Sequence, residues 1–377
     1  MGKCAGGLKA CSLQNGLNCE SISVVRILVV GDGHSKIHEV AVVRALDELG
    51  HDVEAFYWCN YFNSREPLLH FWKRIQNKFL LGPAIFKINA DLVQVVARFR
   101  PDLVFIYRGT HILASTINAI KQSAPGCVVF GYNNDDPFAE GHSPFLWRHF
   151  LKSTPSYDLM FAYRHHNIGE YLSIGAKRAE LLRSWYLPWS NCPVVLDDSD
   201  RARYECDVVF AGHFEDDGRL QLLEKIVSSG FSLRLYGPPG EWDRLIEKSP
   251  ILNHIAPIRQ IWGDEYNKAI SGAKIALCFL SKLNRDTYTR RCFELPAMGT
   301  LLLSEYSNDL ASLYSEGEEA EFFRSSDELL FKISKYIKNE KDRCRIAGNG
   351  KKRVVDDGHD IFSRMSYVLS FSNGIPD

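Results

Sequence analysis

The stretch TRRCFELPAMG, residues 289–299, lies between two apolar runs, 274–280 and 300–305. A strand, a short helix, a glycine stop and a second buried strand make a βαβ unit. The start of such a helix faces the carboxyl edge of the sheet, where open α/β folds bind ligands. Arg291 would meet a phosphate there, and Glu294 would accept hydrogen bonds from sugar hydroxyls. The stretch therefore predicts a nucleotide-sugar site, with Thr289 at its edge.

A plainer interpretation of the same residues stays open. Arg290 and Glu294 are four residues apart, so they would form an ordinary ion pair on the helix surface, with Phe293 and Met298 in the core. The stretch alone does not decide between the two interpretations.

The composition excludes several classes of protein. A chain of 377 residues is too long for one compact core, and a formal net charge of −1 gives no bulk attraction to nucleic acid. The 10 cysteines include no Cys-x-x-Cys pair, which indicates a reducing compartment without disulfides. No apolar run approaches the ~20 residues of a membrane helix. We expect a protein of the cytoplasm or of the inner face of the membrane.

Two series of apolar strands alternate with helical patterns, which predicts parallel sheets covered on both faces. We expect an α/β fold of two doubly wound Rossmann-like domains that face a cleft. The predicted segments are a disordered leader (1–20), an acceptor domain (21–190), a linker (191–205), a nucleotide-sugar domain (206–358) and a returning helix (359–377).

Two glycines, Gly31 and Gly33, follow the first strand. They allow the backbone to approach a ligand closely. A dinucleotide fingerprint needs a third glycine where Lys36 stands, so a dehydrogenase is disfavoured. A tight turn without a ligand is the alternative.

Polar residues follow two later strands of the first series. Asp136 follows one of them and would orient or deprotonate an acceptor hydroxyl, if burial raises its pKa. The alternative is an Asx turn before proline. His165 follows the next strand and would act as a base or neutralise a phosphate. A structural histidine is the alternative, with Glu170 paired to His166 on a helix surface.

Four further groups belong to the predicted donor pocket. Gly212 follows the first strand of the second series and lets backbone amides approach a diphosphate, while Arg219 supplies charge. A capped helix start is the alternative. Lys282 and Arg285 are loop cations just before the opening stretch.

A D-x-D pattern at Asp198–Asp200 matches that of metal-dependent sugar transferases, but it lies in the predicted linker. We treat the pattern as chance and expect neither a metal nor a cofactor other than the sugar-nucleotide co-substrate.

The segment 62–79 mixes aromatic residues with Arg and Lys. It would rest on a membrane surface or hold a lipid-linked acceptor. Packing against the first domain is the commoner fate of such helices, so the sequence favours that alternative.

The chain resembles the CgeB-like, spore-maturation-type glycosyltransferases of bacteria, and this resemblance implies the GT-B architecture, in which C-terminal helices cross back to the first domain. Their pattern T-x-R-x-F-E-x-x-A-x-G matches residues 289–299, and further matches follow in 317–329 and 343–364. The N-terminal half agrees through 101–104 and 135–137.

This resemblance implies how the donor is held. In retaining GT-B enzymes two acidic residues eight apart contact the donor: Glu294 would hold the ribose and Asp286 the transferred sugar. Aspartate is shorter than the family's glutamate at that place, so the stereochemical outcome stays open.

We therefore expect a metal-independent glycosyltransferase that moves a sugar from a nucleoside-diphosphate sugar to a glycan, lipid-linked or protein acceptor. The alternatives are a nucleotide-sugar epimerase of the same fold, or a non-catalytic sugar-nucleotide-binding protein of the envelope or spore.

Overall fold

The computed structural model describes residues 24–143 and 145–372. The predicted leader, 1–20, lies outside them. The described chain forms two parallel sheets, each with helices on both faces.

The first sheet has six strands in the order β2-β1-β3-β4-β5-β6. Every pair of neighbours is parallel. The strands are β1 (Arg26–Gly31), β2 (Asp52–Tyr57), β3 (Leu103–Tyr107), β4 (Val128–Asn133), β5 (Leu159–Ala162) and β6 (Ala179–Leu181). The predicted strand at 179–186 ends early because the chain turns toward the second domain after Leu181.

Apolar side chains leave both faces of this sheet, so helices cover both. On β1, Ile27 and Val29 pack on one face, and Leu28 and Val30 pack on the other. The helices are α1 (Glu39–Glu48), α2 (Pro67–Phe79), α3 (Pro83–Phe99), α4 (Ala114–Ser123), α5 (Arg148–Ser153) and α6 (His165–Ser173).

The second sheet has five parallel strands in the order β11-β10-β9-β7-β8. They are β7 (Cys206–Ala211), β8 (Leu233–Tyr236), β9 (Ala273–Cys278), β10 (Leu301–Glu305) and β11 (Glu321–Phe323). The helices are α7 (Asp198–Tyr204), α8 (Arg219–Ser228), α9 (Pro239–Lys248), α10 (Gly263–Ser271), α11 (Arg291–Ala297), α12 (Asn308–Leu313), α13 (Ser326–Lys338), α14 (Glu340–Asp356) and α15 (Ile361–Leu369).

The segment predicted as a linker, 191–205, is partly helical. Asp197 caps α7 by accepting a hydrogen bond from Asp200 N at 2.8 Å, and Asp200 pairs with Lys268 at 2.7 Å. The D-x-D pattern therefore begins a helix, as acidic residues at N-caps do. The predicted domain boundaries stay a prediction.

The C-terminal helix crosses back to the first domain, as the sequence predicts. Ahead of α15, Tyr186 N donates to His359 O at 3.1 Å, and Ile361 N donates to Tyr186 O at 3.2 Å. Apolar residues of α15 join the same core cluster as those of α1. One continuous cluster thus ties the two domains together.

No single helix among the described residues is long and apolar enough to span a membrane. Helices α2 and α3 pass that test only when they are taken together, and they are bent by 74°.

Trp242 of α9 supports the turn after β7. Its ring is fully buried against Phe210 and Phe214, and its Nε1 donates to Gly212 O at 2.9 Å. The carbonyl of Gly212 is therefore held by a buried side chain of α9, the helix that follows β8.

We expect Trp242→Ala to lower the free energy of unfolding by about 3–5 kcal/mol, because it leaves a cavity and an unpaired carbonyl. Urea denaturation followed by circular dichroism measures the change. Trp262→Ala is the control, because the Trp262 ring is 63% exposed and its loss should change stability by less than ~0.5 kcal/mol. Equal effects of the two variants would contradict this role.

Candidate functional site: the cleft between the two sheets

The strand order reverses once in each sheet, between β1 and β3 and between β7 and β9. Ligands of open α/β sheets bind outside the carboxyl ends of the strands at such points. The loops at these ends meet across the cleft. Arg290 Nη1 donates to Ile37 O at 2.7 Å, and Tyr288 stacks on Tyr163 with ring centroids 4.6 Å apart.

Gly212 and Arg291 touch at the carboxyl end of β7. A Cβ built on Gly212 would lie 3.5 Å from Arg291 Cζ and 2.7 Å from Phe210 Cζ. A Cβ at position 212 would clash with the Phe210 ring, so this turn requires glycine, and the Arg291 guanidinium lies at van der Waals distance from the same point. The pairing of Gly212 with Arg291 brings together two of the predicted donor residues.

Arg291, the first residue of α11, is partly buried and forms no ion pair with any residue that the structure describes. The other predicted cations are all occupied. Arg219 binds Asp217 through two hydrogen bonds of 2.8 and 2.7 Å, Lys282 lies 3.5 Å from Glu305, and Arg285 lies 2.7 Å from Asp136. Among the predicted cations, Arg291 is therefore the one whose charge no carboxylate of the described residues already pairs with.

Arg219 has a structural role in this conformation. It is 4% exposed, and its Nη1 donates to His213 O at 2.6 Å while it also binds Asp217. Burial raises the pKa of Asp217, but the hydrogen bonds and charge of Arg219 outweigh burial, so the pKa lies below its ordinary value. The pair fixes the loop between β7 and α8.

Glu294 forms the ion pair that the plainer interpretation expects, but the pair is buried. Its Oε1 lies 2.6 Å from Arg290 Nε, although this N–H is not aligned for a hydrogen bond. Its Oε2 has only a long contact, 3.4 Å, from Tyr266 OH. One carboxylate oxygen thus keeps capacity to accept a further hydrogen bond. Thr289, just before the helix, is buried with its Oγ1 3.4 Å from Cys278 Sγ.

The Asp136 side chain is fully buried, and both of its carboxylate oxygens accept hydrogen bonds. Arg285 donates to both of its carboxylate oxygens, at 2.7 and 2.9 Å, and His166 and Asn167 complete the shell at 3.2 and 3.0 Å. Burial raises the pKa of Asp136, but the bonds from Arg285 and His166 outweigh burial and lower it overall. The raised pKa that a general base requires is therefore not found.

In this conformation Asp286 faces the first domain, and its predicted contact with the donor sugar stays a prediction. Two nitrogens of Arg164 bond its Oδ1, with Nε at 2.8 Å, and the two side chains are 1% and 8% exposed. Burial raises the pKa of Asp286 to about 6, against the opposing charge of Arg164. In this conformation the carboxylate holds the two domains together.

His165 remains accessible. Its side chain is 61% exposed at the beginning of α6, with Nε2 3.0 Å from Arg183 Nη2 and 3.7 Å from Asp309. Of the three predicted catalytic residues, His165 alone has a side chain open to solvent.

Gly31 and Gly33 make room for the protein's own side chains. A Cβ on Gly31 would lie 2.8 Å from Glu39 Cγ, and one on Gly33, where φ is +78°, would lie 2.4 Å from Tyr57 Cγ. Gly33 N donates to Glu39 Oε1 at 2.5 Å. These contacts form a tight turn, and close approach of a ligand at the two glycines stays a prediction.

Asp136, His166 and Glu170 could hold a metal ion, because their ligand atoms lie within 4.8 Å of one another. Arg285 donates to Glu170 at 2.9 Å as well as to Asp136. A guanidinium thus already supplies the positive charge that a metal would bring.

Several contact residues escape the sequence patterns. Arg164 and Arg183 pair with partners more than 120 residues away, and Tyr288 OH donates to Tyr163 O at 2.8 Å. Arg164 stands beside His165 directly after a strand, so its position was the available signal.

A cavity of about 440 Å³ lies along β8, and none of the predicted donor residues lines it.

Comparison with known proteins agrees with this architecture. A family model described as glycosyl transferase-like matches residues 219–370. A search of curated proteins finds no match.

Solved structures share the fold over nearly the whole chain. HepE of Anabaena in complex with UDP and glucose aligns with 92% of this chain and 99% of its own, at 12% identity and a TM-score of 0.61. Sucrose-phosphate synthase of Thermosynechococcus elongatus aligns with 93% and 100%, at 13% identity and 0.64. A glycosyltransferase of Rickettsia africae aligns with 94% and 99%, at 12% identity and 0.65. The chain therefore has the GT-B fold of these glycosyltransferases, as predicted.

His38 leads to a prediction about pH. Its Nδ1 lies 3.0 Å from Tyr107 OH, and burial, Arg290 and Arg108 lower its pKa to about 3. The folded state thus keeps His38 neutral, while the unfolded chain takes up a proton near pH 6.5. Stability from this group is present above pH 6.5 and is lost as the pH falls toward 3.

We expect His38→Gln to reduce the slope of unfolding free energy against pH by up to about 1.4 kcal/mol per pH unit between pH 6 and 4. Urea titrations across that range measure the slope. Tyr107→Phe is the control, because it removes the hydrogen bond but keeps the imidazole, so the slope should stay. An unchanged slope in His38→Gln would show that His38 is already charged in the folded protein.

Proposed function

We propose that this protein is a glycosyltransferase that takes a sugar from a nucleoside-diphosphate sugar. The glycosyl transferase-like family match over 219–370 and the shared GT-B fold support the reaction class. The printed titles of two structural neighbours name UDP with glucose and UDP-glucose as their ligands. The observation that carries the proposal is Arg291, a cation without an ion-pair partner among the described residues, set against Gly212 at the carboxyl end of β7.

The charge that develops on the leaving diphosphate needs a fixed counter-charge. Arg291 supplies it, and Gly212 brings the main chain close because no side chain intervenes. Trp242 holds the Gly212 carbonyl, so this turn is fixed before the donor binds. A guanidinium that is already in place costs little reorganisation during the reaction.

Glu294 is the proposed partner of the nucleotide's ribose. Its Oε1 is oriented by Arg290, while its Oε2 has only the 3.4 Å contact with Tyr266. A sugar hydroxyl would take the remaining acceptor capacity. We therefore assign two roles to α11 in this proposal: Arg291 binds the phosphate, and Glu294 binds the sugar part of the nucleotide.

His165 is the proposed base for the acceptor, which is a glycan, a lipid-linked sugar or a protein. Its exposed imidazole lies at the first-domain side of the cleft. Arg183 Nη2 donates to its Nε2 at 3.0 Å in this conformation, so Arg183 must withdraw before that nitrogen accepts the proton of the acceptor hydroxyl. Asp136 and Asp286 are proposed to control closure instead, because both are bonded to arginines across the cleft. Transfer is proposed to need no metal, since arginine side chains meet the charges.

The bonds across the cleft imply that the domains must separate to admit the donor. Closure then excludes water, which suppresses hydrolysis of the donor. The CgeB-like subtype is part of the proposal and rests on residues 289–299.

The test is a thermal-shift screen of UDP-, GDP-, dTDP- and CMP-sugars, followed by a transfer assay with the donor that binds. A donor at about 100 times its dissociation constant should stabilise the protein by ~2.7 kcal/mol. We expect Arg291→Ala to weaken donor binding roughly 10- to 150-fold, because a charge-assisted hydrogen bond contributes ~1.5–3 kcal/mol.

Arg244→Ala is the matched control, since Arg244 is an exposed arginine of α9 in the same domain. It should bind donor like the wild type. Full donor affinity in Arg291→Ala would remove the site assignment. Interconversion of a sugar nucleotide without acceptor would instead identify an epimerase, and binding without turnover would identify a non-catalytic protein.

A further inference from the structure

Helix α2 turns its apolar side away from the protein. Leu68 and Trp72 are 71% and 55% exposed, and Phe71 and Phe79 are exposed too. These positions recur at helical spacing, so they form one stripe. No residue of α2 is buried. The sequence favoured packing of this segment against the first domain, and the structure contradicts that expectation for its apolar stripe.

The polar side of α2 makes the contacts with the domain. Lys73 Nζ donates to Asn63 O at 2.8 Å, Gln76 Oε1 accepts from Ala84 N at 2.8 Å, and Asn77 Oδ1 lies 2.8 Å from His111 Nε2. Hydrogen bonds thus fix the rotation of the helix with its apolar stripe facing outward. A helix that only needed to cover the core would turn the other way.

The apolar surface extends beyond α2. Leu81 and Phe86 are exposed at the beginning of α3, and Phe145 packs edge-on against Phe79 with ring centroids 5.3 Å apart. Contiguous exposed apolar surface of this kind marks an interaction site.

Positive charge surrounds the apolar stripe. The segment 65–87 carries one acidic residue, Glu66, and five basic residues, whereas the whole chain has a net charge of −1. The basic residues are Arg65, Lys73, Arg74, Lys78 and Lys87. Apolar residues beside basic residues on one helix are the pattern of a helix that lies in an anionic membrane interface.

A membrane-spanning role for this region conflicts with the packing. Helices α2 and α3 together are long and apolar enough, but α3 contributes Ile85, Ile88, Leu92, Val96 and Phe99 to the core of the first domain. Insertion of α3 would unfold that core. A helix that lies on the surface needs no such change.

We propose that α2, together with Leu81, Phe86 and Phe145, docks the protein on an anionic lipid bilayer. The apolar stripe enters the boundary between headgroups and acyl chains. The exposed Arg65, Arg74 and Lys78 contact the anionic headgroups, whereas Lys73 bonds Asn63 O and Lys87 pairs with Asp91 at 3.0 Å.

The test is co-sedimentation of the full chain with vesicles. We expect binding to vesicles of phosphatidylcholine mixed with phosphatidylglycerol, and at least tenfold weaker binding to phosphatidylcholine alone. Arg74→Glu with Lys78→Glu should weaken binding by at least about fivefold per residue. Lys338→Glu with Lys341→Glu is the matched control, because these two exposed residues lie in the other domain.

The apolar stripe is tested separately. Trp72→Ala should weaken binding about tenfold, whereas Trp262→Ala, which removes another exposed tryptophan, should leave it unchanged. Circular dichroism verifies that each variant folds.

Three outcomes would overturn the proposal: wild type that stays in the supernatant, equal losses in Trp72→Ala and Trp262→Ala, or lipid-independent dimers that Trp72→Ala abolishes. The last would assign the surface to a second copy of the chain. The experiment uses no sugar nucleotide, so its result is independent of the proposed transferase activity.

Discussion

The relation between the two domains depends on two ion pairs across the cleft, one fully buried and one whose arginine is half-exposed. Arg164 of the first domain pairs with Asp286 of the second, and Asp136 of the first pairs with Arg285 of the second. Breaking one partner of a buried pair leaves an uncompensated charge and costs about 3–5 kcal/mol. The loop 282–286 is therefore the contact that sets the closed arrangement. Arg285 has φ of +48°, a strained conformation for a residue other than glycine, and its bonds to Asp136 and Glu170 keep it there.

These pairs also determine which charges remain for chemistry. Carboxylates of the protein already occupy Arg219, Arg285 and Lys282, so each would have to leave a partner before it could bind a phosphate. Arg291 would not. A cleft that used its arginines to hold the domains closed would have no charge for a donor. The closing residues lie in the loop before α11, whereas Arg291, which pairs with no carboxylate of residues 24–143 and 145–372, lies at the beginning of that helix.

The parts of the fold that local patterns encode could be predicted from the sequence. The strands β1, β3, β9, β10 and β11 are apolar runs that end in glycine or polar residues, and the opening stretch lies between β9 and β10 as expected. The ion pairs could not be predicted. Arg164 and Asp286 are 122 residues apart in the sequence. A local pattern cannot distinguish a carboxylate that binds a sugar from a carboxylate that pairs with a distant arginine. The same limit applies to Asp136. The sequence predicts it as a base, but in the structure it accepts a hydrogen bond from Arg285.

Helix α2 shows a second limit of sequence patterns. Its periodicity reveals that one side is apolar, but the period does not say which side faces the protein. That choice follows from single hydrogen bonds at Lys73, Gln76 and Asn77, whose partners come from three different segments of the first domain. Because these bonds fix the helix, the apolar stripe remains exposed without the helix moving. A helix that is already fixed loses little conformational entropy when it binds. The free energy gained by burying Trp72 and its neighbours would therefore contribute almost in full to the affinity.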